Sequence, residues 1–355
     1  MKNIEKYRNL IAKGEVDALL LTSKHNRMYA AEYCVAEGVS VICKEESYYF
    51  TDFRYIEAAQ KNLPGFTVVM TDADHPYTKL INDAIAAHTV KTLGFEDDSL
   101  TVEEYMLYNT KLNAVLHPYS AEINAPRQSK EPWEIEYMKK AQEITDRTFE
   151  DLLNIIRPGM TEKELCAELI YRLYKFGSEG PSFDPITISG PNTSLPHGVP
   201  SERELQYGDF VTMDFGCLYH GYCSDMTRTI ALGYVSEKMD KVYHTVLEAQ
   251  LAGIAATKAG VTGKAMDAAA RKVIDDAGFV GCFGHSYGHS LGLLIHEAPN
   301  ASMRNDKPMP AGAVVSAEPG IYIPDEFGVR IEDVTVITDT GCEILTKSPK
   351  NLIIL

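Results

Sequence analysis

The chain has little of what secreted, membrane-bound or nucleic-acid-binding proteins need. It contains 34 Lys and Arg against 50 Asp and Glu, a formal net charge of −16. That charge disfavours nucleic acid and anionic membranes as partners. No segment approaches 18 uninterrupted apolar residues, so we expect no transmembrane helix. The early apolar run VDALLL is broken by Asp17 and is too short for a signal peptide. A cytoplasmic protein is therefore expected.

Cysteine is also used sparingly. Seven cysteines, an odd number with no CxxC pair, argue against both a disulfide framework and a zinc ribbon. Cys217 and Cys223 are close in sequence and could approach each other. In a cytosolic chain we expect both to be reduced packing residues.

The length of 355 residues exceeds what a single core usually supports, so two domains are expected. Residues 1–123 alternate helical and strand-like runs, including a hairpin across Lys44–Glu46, and predict an α/β domain. They contain neither a ligand set nor a phosphate-binding loop. Residues 124–131 form the predicted linker, and residues 132–355 form the second domain.

The second domain begins with two predicted helices. Ser129 is the expected N-cap of a helix that starts near Pro132, and Thr161 is the expected cap of the next. Two more helices, at about Ser236–Ala259 and Gly263–Ala277, follow later. Each pair of helices precedes a hairpin, so the pattern predicts a duplication of half-domains.

Four acids and one histidine stand in or beside apolar, strand-like runs of the second domain. They are Asp214 in VTMDFG, Asp225 in SDMTRT, His289 in GHSLG, Glu318 in SAEPG and Glu332 in VRIEDV. A carboxylate in such a run is costly to bury unless it is paired or holds a metal. One His with four carboxylates is a hard ligand set suited to Mn, Co, Fe or Zn. The set predicts a two-metal site that activates a bridging water.

The acids occur in two predicted hairpins. Asp214 and Asp225 lie on FVTMDFG and SDMTRTIAL, separated by the turn CLYHGYC. Glu318 and Glu332 lie on AVVSAEPGIYI and VRIEDVTVI, which flank PDEFG. Two acid-bearing hairpins predict two related half-domains facing each other across one site.

A series of short motifs follows in order along this part of the chain. The series is PHG at 196–198, the DFG of Asp214, SDMTRT, GHSLG, HE at 296–297, EPG and RIED. From about Ser129 to Leu355 the chain resembles the pita-bread metallopeptidases, which include methionine aminopeptidase, aminopeptidase P and prolidase. Over its whole length it is most similar to short bacterial and archaeal Xaa-Pro peptidases.

The resemblance implies an α+β fold. The catalytic domain would have the pita-bread (creatinase/aminopeptidase-like) architecture, preceded by a creatinase-like N-terminal α/β domain. In the family that first domain covers the active-site mouth or helps the enzyme to dimerise, so a homodimer is expected. The first 120 or so residues argue against methionine aminopeptidase, which lacks this domain. Metal-free creatinase-like enzymes lack the five ligands that this chain keeps.

The resemblance also implies the metal ligands. Asp214 would chelate one divalent ion, and His289 and Glu318 would bind the other. Asp225 and Glu332 would bridge the two. Manganese is the favoured metal, with cobalt, iron or zinc as alternatives.

The catalytic and substrate-binding residues are implied in the same way. Glu318 would also act as the proton shuttle. His197 and His296 would hydrogen-bond the scissile peptide and the tetrahedral intermediate. His285 would line the substrate pocket, and Arg330 resembles an arginine that pairs with Asp214.

The expected activity is hydrolysis of the Xaa-Pro bond of small peptides that have proline in second position. An Xaa-Pro dipeptidase is favoured, and an aminopeptidase P type that accepts longer peptides is the alternative. A dipeptidase must bind the substrate carboxylate, for which Arg304, on the loop after His296, is the expected partner. Ser286, Tyr287 and Ser290 depart from the family pattern, which leaves the pocket shape open.

Overall fold

The computed structural model describes residues 2–34 and 37–355. The chain separates into two compact units, one ending at Arg127 and one spanning Gln128–Leu355. Among the described residues, no helix combines the length and apolarity needed to span a bilayer.

The first unit is built on one six-stranded sheet in the order β4-β3-β2-β1-β5-β6. Its strands are β1 (Ala18–Leu21), β2 (Val39–Ile42), β3 (Ser47–Thr51), β4 (Thr67–Met70), β5 (Thr92–Phe95) and β6 (Val115–Pro118). Its helices are α1 (Lys2–Ala12), α2 (Lys24–Ala31), α3 (Ile56–Asn62), α4 (Tyr77–Ala87), α5 (Val102–Lys111) and α6 (Ser120–Asn124). The predicted hairpin across Lys44–Glu46 is confirmed, because β2 and β3 pair antiparallel.

Two features hold this unit together. Ile81 and Ile85 of α4 belong to the same buried apolar cluster as Leu20 of β1 and Leu93 of the neighbouring strand β5. The buried carboxylate of Glu96 accepts hydrogen bonds from the segment that starts α2. Its donors are the backbone N of Thr22, the backbone N and Oγ of Ser23, and Nδ2 of Asn26.

The second unit contains four long helices and thirteen strands among its described residues. The helices are α7 (Pro132–Leu152), α8 (Glu162–Lys175), α9 (Glu237–Ala256) and α10 (Gly263–Asp276). The first strands are β7 (Gly180–Pro181), β8 (Ile186–Ser189), β9 (Phe210–Phe215), β10 (Cys217–Tyr219), β11 (Tyr222–Cys223) and β12 (Met226–Ala231). The later strands are β13 (Gly288–Ser290), β14 (Glu297–Ala301), β15 (Val314–Ala317), β16 (Gly320–Ile323), β17 (Phe327–Arg330), β18 (Asp333–Ile337) and β19 (Cys342–Ile344).

The predicted repeat is present in this unit. Helices α7 and α8 precede the antiparallel order β12-β9-β8. Helices α9 and α10 precede the order β18-β15-β13, which β14 and β19 extend at its two ends. Each half-domain therefore combines two helices with a central strand triplet.

Both hairpins differ in detail from their prediction. The arms β9 and β12 pair, but their connection forms β10 and β11, which join β7 in a separate sheet. In the second hairpin each long arm is broken, so that β15 pairs with β18 while β16 pairs with β17 in another sheet. Pro319 lies at one break and has no N–H with which to continue the ladder.

The caps of the first two helices give one correction and one confirmation. Ser129 is not the N-cap of α7, because its Oγ donates to the carbonyl of Ala311. Glu131 takes that position and forms a reciprocal capping box with Glu134. Thr161 caps α8 as predicted.

Arg228 of β12 links the two half-domains. Its guanidinium pairs with Asp333 Oδ1 at 2.8 Å, and both side chains are 1% exposed. It also donates to the carbonyl oxygens of Glu332, Ser348 and Pro349. The first half-domain is thereby bonded to β18 and to the C-terminal segment.

We predict that Arg228→Met lowers the free energy of unfolding by about 3–5 kcal/mol, because it leaves the buried Asp333 carboxylate without this partner. Urea denaturation followed by circular dichroism measures the change. Lys238→Met is the matched control, since Lys238 forms an exposed pair with Glu326 and should cost about 1 kcal/mol or less. Equal losses in the two variants would contradict this assignment.

Candidate active site

A cavity of about 630 Å³ opens in the second unit, between its two half-domains. All five residues of the expected ligand set line it. Asp214 and Asp225 come from the first half-domain, and His289, Glu318 and Glu332 come from the second. Part of the wall is apolar and includes Phe183, Pro185, Ile186, Val199 and Ile295. The cavity is within the size range of small-molecule sites.

The strands place the four acids at matching points of the two half-domains. Asp214 lies in β9 opposite Thr227, and Asp225 immediately precedes β12. Glu318 immediately follows β15, and Glu332 immediately precedes β18. Each acid thus lies within one residue of a strand end, so the side chains can converge.

His289 is at the centre of the cluster. Its Nε2 lies 3.5 Å from Asp225 Oδ2 and 3.3 Å from Glu318 Oε1. Its Nδ1 lies 3.2 Å from the carbonyl oxygen of Ser290, to which only an N–H can donate. In that tautomer the lone pair of Nε2 faces the acids, as a metal ligand requires. One ligand atom each of Asp225, His289 and Glu332 lie within 4.8 Å of one another.

Some carboxylate oxygens of the acids have no hydrogen-bond partner among the described residues. Asp214 Oδ1, Asp225 Oδ1 and Glu332 Oε1 are buried and accept no hydrogen bond from the described residues. Burial and the neighbouring acids raise the pKa of Asp225 and Glu332 well above the usual range. Burial also raises the pKa of Glu318 to about 7. Carboxylates in this state need protons or a cation, and their hard oxygen donors with one imidazole fit divalent metal ions.

A hydrogen-bonded chain runs from Asp214 to His285. Arg330 Nη2 lies 2.6 Å from Asp214 Oδ2, so the pairing implied by the resemblance is present. Arg330 Nη1 donates to Tyr322 Oη at 2.7 Å, and Tyr322 Oη lies 2.8 Å from His285 Nε2. Burial lowers the pKa of His285 to about 3. The neutral ring accepts from Tyr322 and donates Nδ1–H to the carbonyl of Ser286.

Of the three unusual residues near His289, two do not line the cavity. Tyr287 is fully buried, and its ring occupies the space where Gly253 of α9 has no side chain. Ser290 Oγ donates to the carbonyl of Val314. Ser286 alone of the three lines the cavity. The pocket shape is therefore less affected than the substitutions suggest.

Of the remaining predicted residues, two line the cavity and one does not. His197 and His296 line the cavity and are exposed. The rings of His289 and His296 have centroids 4.3 Å apart, and burial lowers the pKa of His296. Arg304 is exposed on the loop after β14 and is not among the residues that line the cavity.

Sequence reasoning missed Tyr322 and Ser316. Ser316 Oγ donates to Glu318 Oε1 at 3.0 Å and accepts from the backbone N of His289. The hairpin GIYIPDEFGVR contained a usable signal, because the register places Tyr322 opposite Gly328 and therefore diagonal to Arg330 on one face.

Comparison with known families agrees with this geometry. Residues 136–339 match the model of metallopeptidase family M24, and residues 3–129 match the creatinase/prolidase N-terminal domain. The chain belongs to metallopeptidase family M24. It is therefore a metal-dependent peptidase, and the predicted α+β, pita-bread fold class is confirmed.

Three similar proteins span nearly the whole chain. A structure described as Xaa-Pro dipeptidase from Bacillus anthracis is 43% identical, with a TM-score of 0.96, and the match covers 100% of this chain and 99% of that one. The Xaa-Pro dipeptidase of Pyrococcus furiosus is 35% identical over 99% of both chains. An X-Pro aminopeptidase structure from Thermotoga maritima is 34% identical, with a TM-score of 0.93, over 99% of this chain and 100% of that one.

We predict that Asp225→Ala releases at least one metal ion per chain and abolishes turnover, because it removes one of the expected bridging ligands. Elemental analysis of dialysed protein and a peptidase assay measure the two effects. Glu326→Gln, an exposed acid outside the cavity, is the control and should retain the full metal content. Two ions and full activity in Asp225→Ala would refute the assignment.

Proposed function

We propose that the chain is a dinuclear-metal Xaa-Pro dipeptidase that acts on small peptides with proline in second position. The observation that carries the proposal is the convergence of five ligand residues and three histidines in one cavity. The relatives named above match over nearly their full lengths, and two of the three are described as Xaa-Pro dipeptidases.

The proposed ligands divide as the resemblance implies. Asp214 would hold one divalent ion, His289 and Glu318 the other, and Asp225 and Glu332 both. The unpartnered oxygens of Asp214, Asp225 and Glu332 support this role. When bound, two such ions would acidify a water molecule so that hydroxide is available near neutral pH.

Glu318 is the proposed proton carrier. Its Oε1 accepts from Ser316, which fixes the carboxylate beside His289. The carboxylate would take the proton of the attacking water and return one to the leaving nitrogen. This transfer matters for Xaa-Pro substrates, because the proline nitrogen of the scissile bond has no hydrogen of its own.

The three histidines have different capacities. His197 and His296 have no hydrogen-bond partner among the described residues, so both imidazoles can bond the scissile carbonyl as charge develops on it. His285 is different because both of its nitrogens are engaged. It would meet the substrate through the face or edge of a neutral ring, beside the apolar wall.

Recognition of the substrate carboxylate is proposed for Arg304. Arg330 lines the cavity, but its guanidinium is already bonded to Asp214, Tyr322 and Thr227. A second cation is therefore needed for a dipeptide. Arg304 follows β14, of which Asn300 lines the cavity, and its exposed side chain has no fixed partner among the described residues.

The wider setting is proposed on similar grounds. None of the seven cysteines forms a disulfide, which suits a cytoplasmic enzyme. Manganese suits the four-carboxylate, one-histidine set. We propose residues 1–123 as an N-terminal domain that supports a homodimer, residues 124–131 as its linker, and residues 132–355 as the catalytic domain.

The substrate is tested with metal-loaded protein on Gly-Pro, Ala-Pro, an Xaa-Pro-Pro tripeptide and Met-Ala-Ser. We expect hydrolysis of the dipeptides first and none of Met-Ala-Ser. Arg304→Ala should lower kcat/KM on dipeptides by about one to two orders of magnitude, the usual effect of losing a charge-assisted hydrogen bond. Tripeptides should be little affected. A native preference for tripeptides would favour the aminopeptidase P alternative, and equal losses on both substrates would make Arg304 structural.

We predict that Glu318→Gln lowers kcat by about a hundredfold or more, since the amide keeps an oxygen at the cluster but cannot carry a proton. Steady-state kinetics and metal analysis of the same preparation measure turnover and occupancy. Some metal should remain bound. Unchanged turnover would mean that another group carries the proton.

A further inference from the structure

The carboxylate of Glu162, in the first turn of α8, is fully buried and accepts five hydrogen bonds. Oε1 accepts from the backbone N and Oγ of Ser189 at 2.7 and 2.9 Å, and from Nδ2 of Asn192 at 3.0 Å. Oε2 accepts from the backbone N and Oγ of Ser201 at 2.9 and 2.6 Å. Neither the ligand set nor the proposed mechanism uses this group.

The donors stand on the two sides of one loop. Ser189 ends β8 and Asn192 lies in the 3-10 turn that follows. Ser201 comes after residues 193–200, here called the His197 loop. Residues 196–200 of this loop all line the cavity. One carboxylate therefore fastens both ends of the segment that carries His197.

The position of His197 depends on this loop. Its imidazole is exposed in the cavity and has no hydrogen-bond partner in the described part of the chain. The loop backbone must therefore place the ring. We propose that Glu162 is a positioning residue that holds the His197 loop, and through it His197, against the substrate.

The arrangement requires a carboxylate. Ser189 Oγ accepts from Arg203 Nη1, and Ser201 Oγ accepts from the backbone N of Arg203. Each hydroxyl therefore directs its own hydrogen to Glu162, so five donors meet two acceptor oxygens. Glutamine at this position would turn its NH₂ towards either two or three of these donors. The substitution changes the shape of the side chain very little, but it removes the acceptor for the donors at one end of the His197 loop.

The experiment compares Glu162→Gln with Glu96→Gln. Glu96 is the matched control, because it is also a fully buried carboxylate that accepts several donors, but in the first unit. Both variants should lower the melting temperature. Only Glu162→Gln should lower kcat, by about tenfold or more, with a smaller change in KM, because His197 acts on the transition state.

A double-mutant cycle with His197→Ala separates positioning from general destabilisation. If Glu162 acts through His197, Glu162→Gln should lower kcat much less in the His197→Ala background than in the native one. An equal loss in both backgrounds, or native kcat in Glu162→Gln, would overturn the proposal. If Glu162→Gln does not fold, Asn192→Ala and Ser201→Ala each remove one side-chain donor and should give the same non-additivity.

The kinetic measurements rest on the proposed function. A second measurement is therefore chosen that needs no substrate. Limited proteolysis with mass spectrometry should show new cleavage within residues 193–200 in Glu162→Gln and not in Glu96→Gln. If the native protein is inactive on all Xaa-Pro peptides, the proposed function is refuted, but the proteolysis test of Glu162 remains valid. Active native protein with the same cleavage pattern in both variants would refute the role of Glu162.

Discussion

The main constraint on this structure is that four carboxylates, which repel one another, share one partly buried cavity. Burial and neighbouring charge raise the pKa of Asp225, Glu318 and Glu332. Such a cluster is stable only with protons or cations among its oxygens. Arg330 neutralises Asp214, and Thr227 and Ser316 donate to Glu332 and Glu318. Three buried oxygens of the acids still have no partner among the described residues. The surrounding protein positions these charges so that bound metal ions would complete the site.

The duplicated half-domains explain why the cluster forms at their junction. The first contributes two acids, and the second contributes two acids and a histidine. Neither holds the full ligand set, so the site requires that the halves pack correctly. Arg228 of the first half-domain stabilises that packing, because its guanidinium donates to the carbonyl of Glu332 and pairs with the carboxylate of Asp333 in the second.

The three cavity histidines outside the expected ligand set are held in three different ways. His285 is fixed through its own nitrogens by Tyr322 and the Ser286 carbonyl. His197 relies on a loop tied down by Glu162. His296 precedes Glu297, which forms a buried ion pair with Lys130 at 2.7 Å. Their chemical roles differ accordingly, because only the two rings with unengaged nitrogens can change hydrogen-bond partners during a reaction.

The sequence by itself determined local features of the structure, each of which depends on residues that are close together in the chain. The helix cap at Thr161, the β2–β3 hairpin and the five acid- and histidine-bearing motifs are short-range signals, and the helix-helix-hairpin repeat is a series of such signals. Each reflects backbone propensity or a motif within a few residues, which needs no knowledge of the fold. The motifs were also specific enough to imply the family that the comparisons then showed.

The tertiary structure alone decided which distant groups meet. Ser129 lost the N-cap of α7 because its hydroxyl bonds Ala311, far along the chain, and the second hairpin was divided between two sheets. Tyr287 turned into the core against Gly253, while Tyr322 joined Arg330 to His285 and Glu162 gathered donors from both ends of a loop. Arg304, placed by loop position only, lies outside the cavity wall. These outcomes depend on strand register and side-chain direction, which are set only when the sheets pack, because a shift of one residue reverses the face that a side chain occupies.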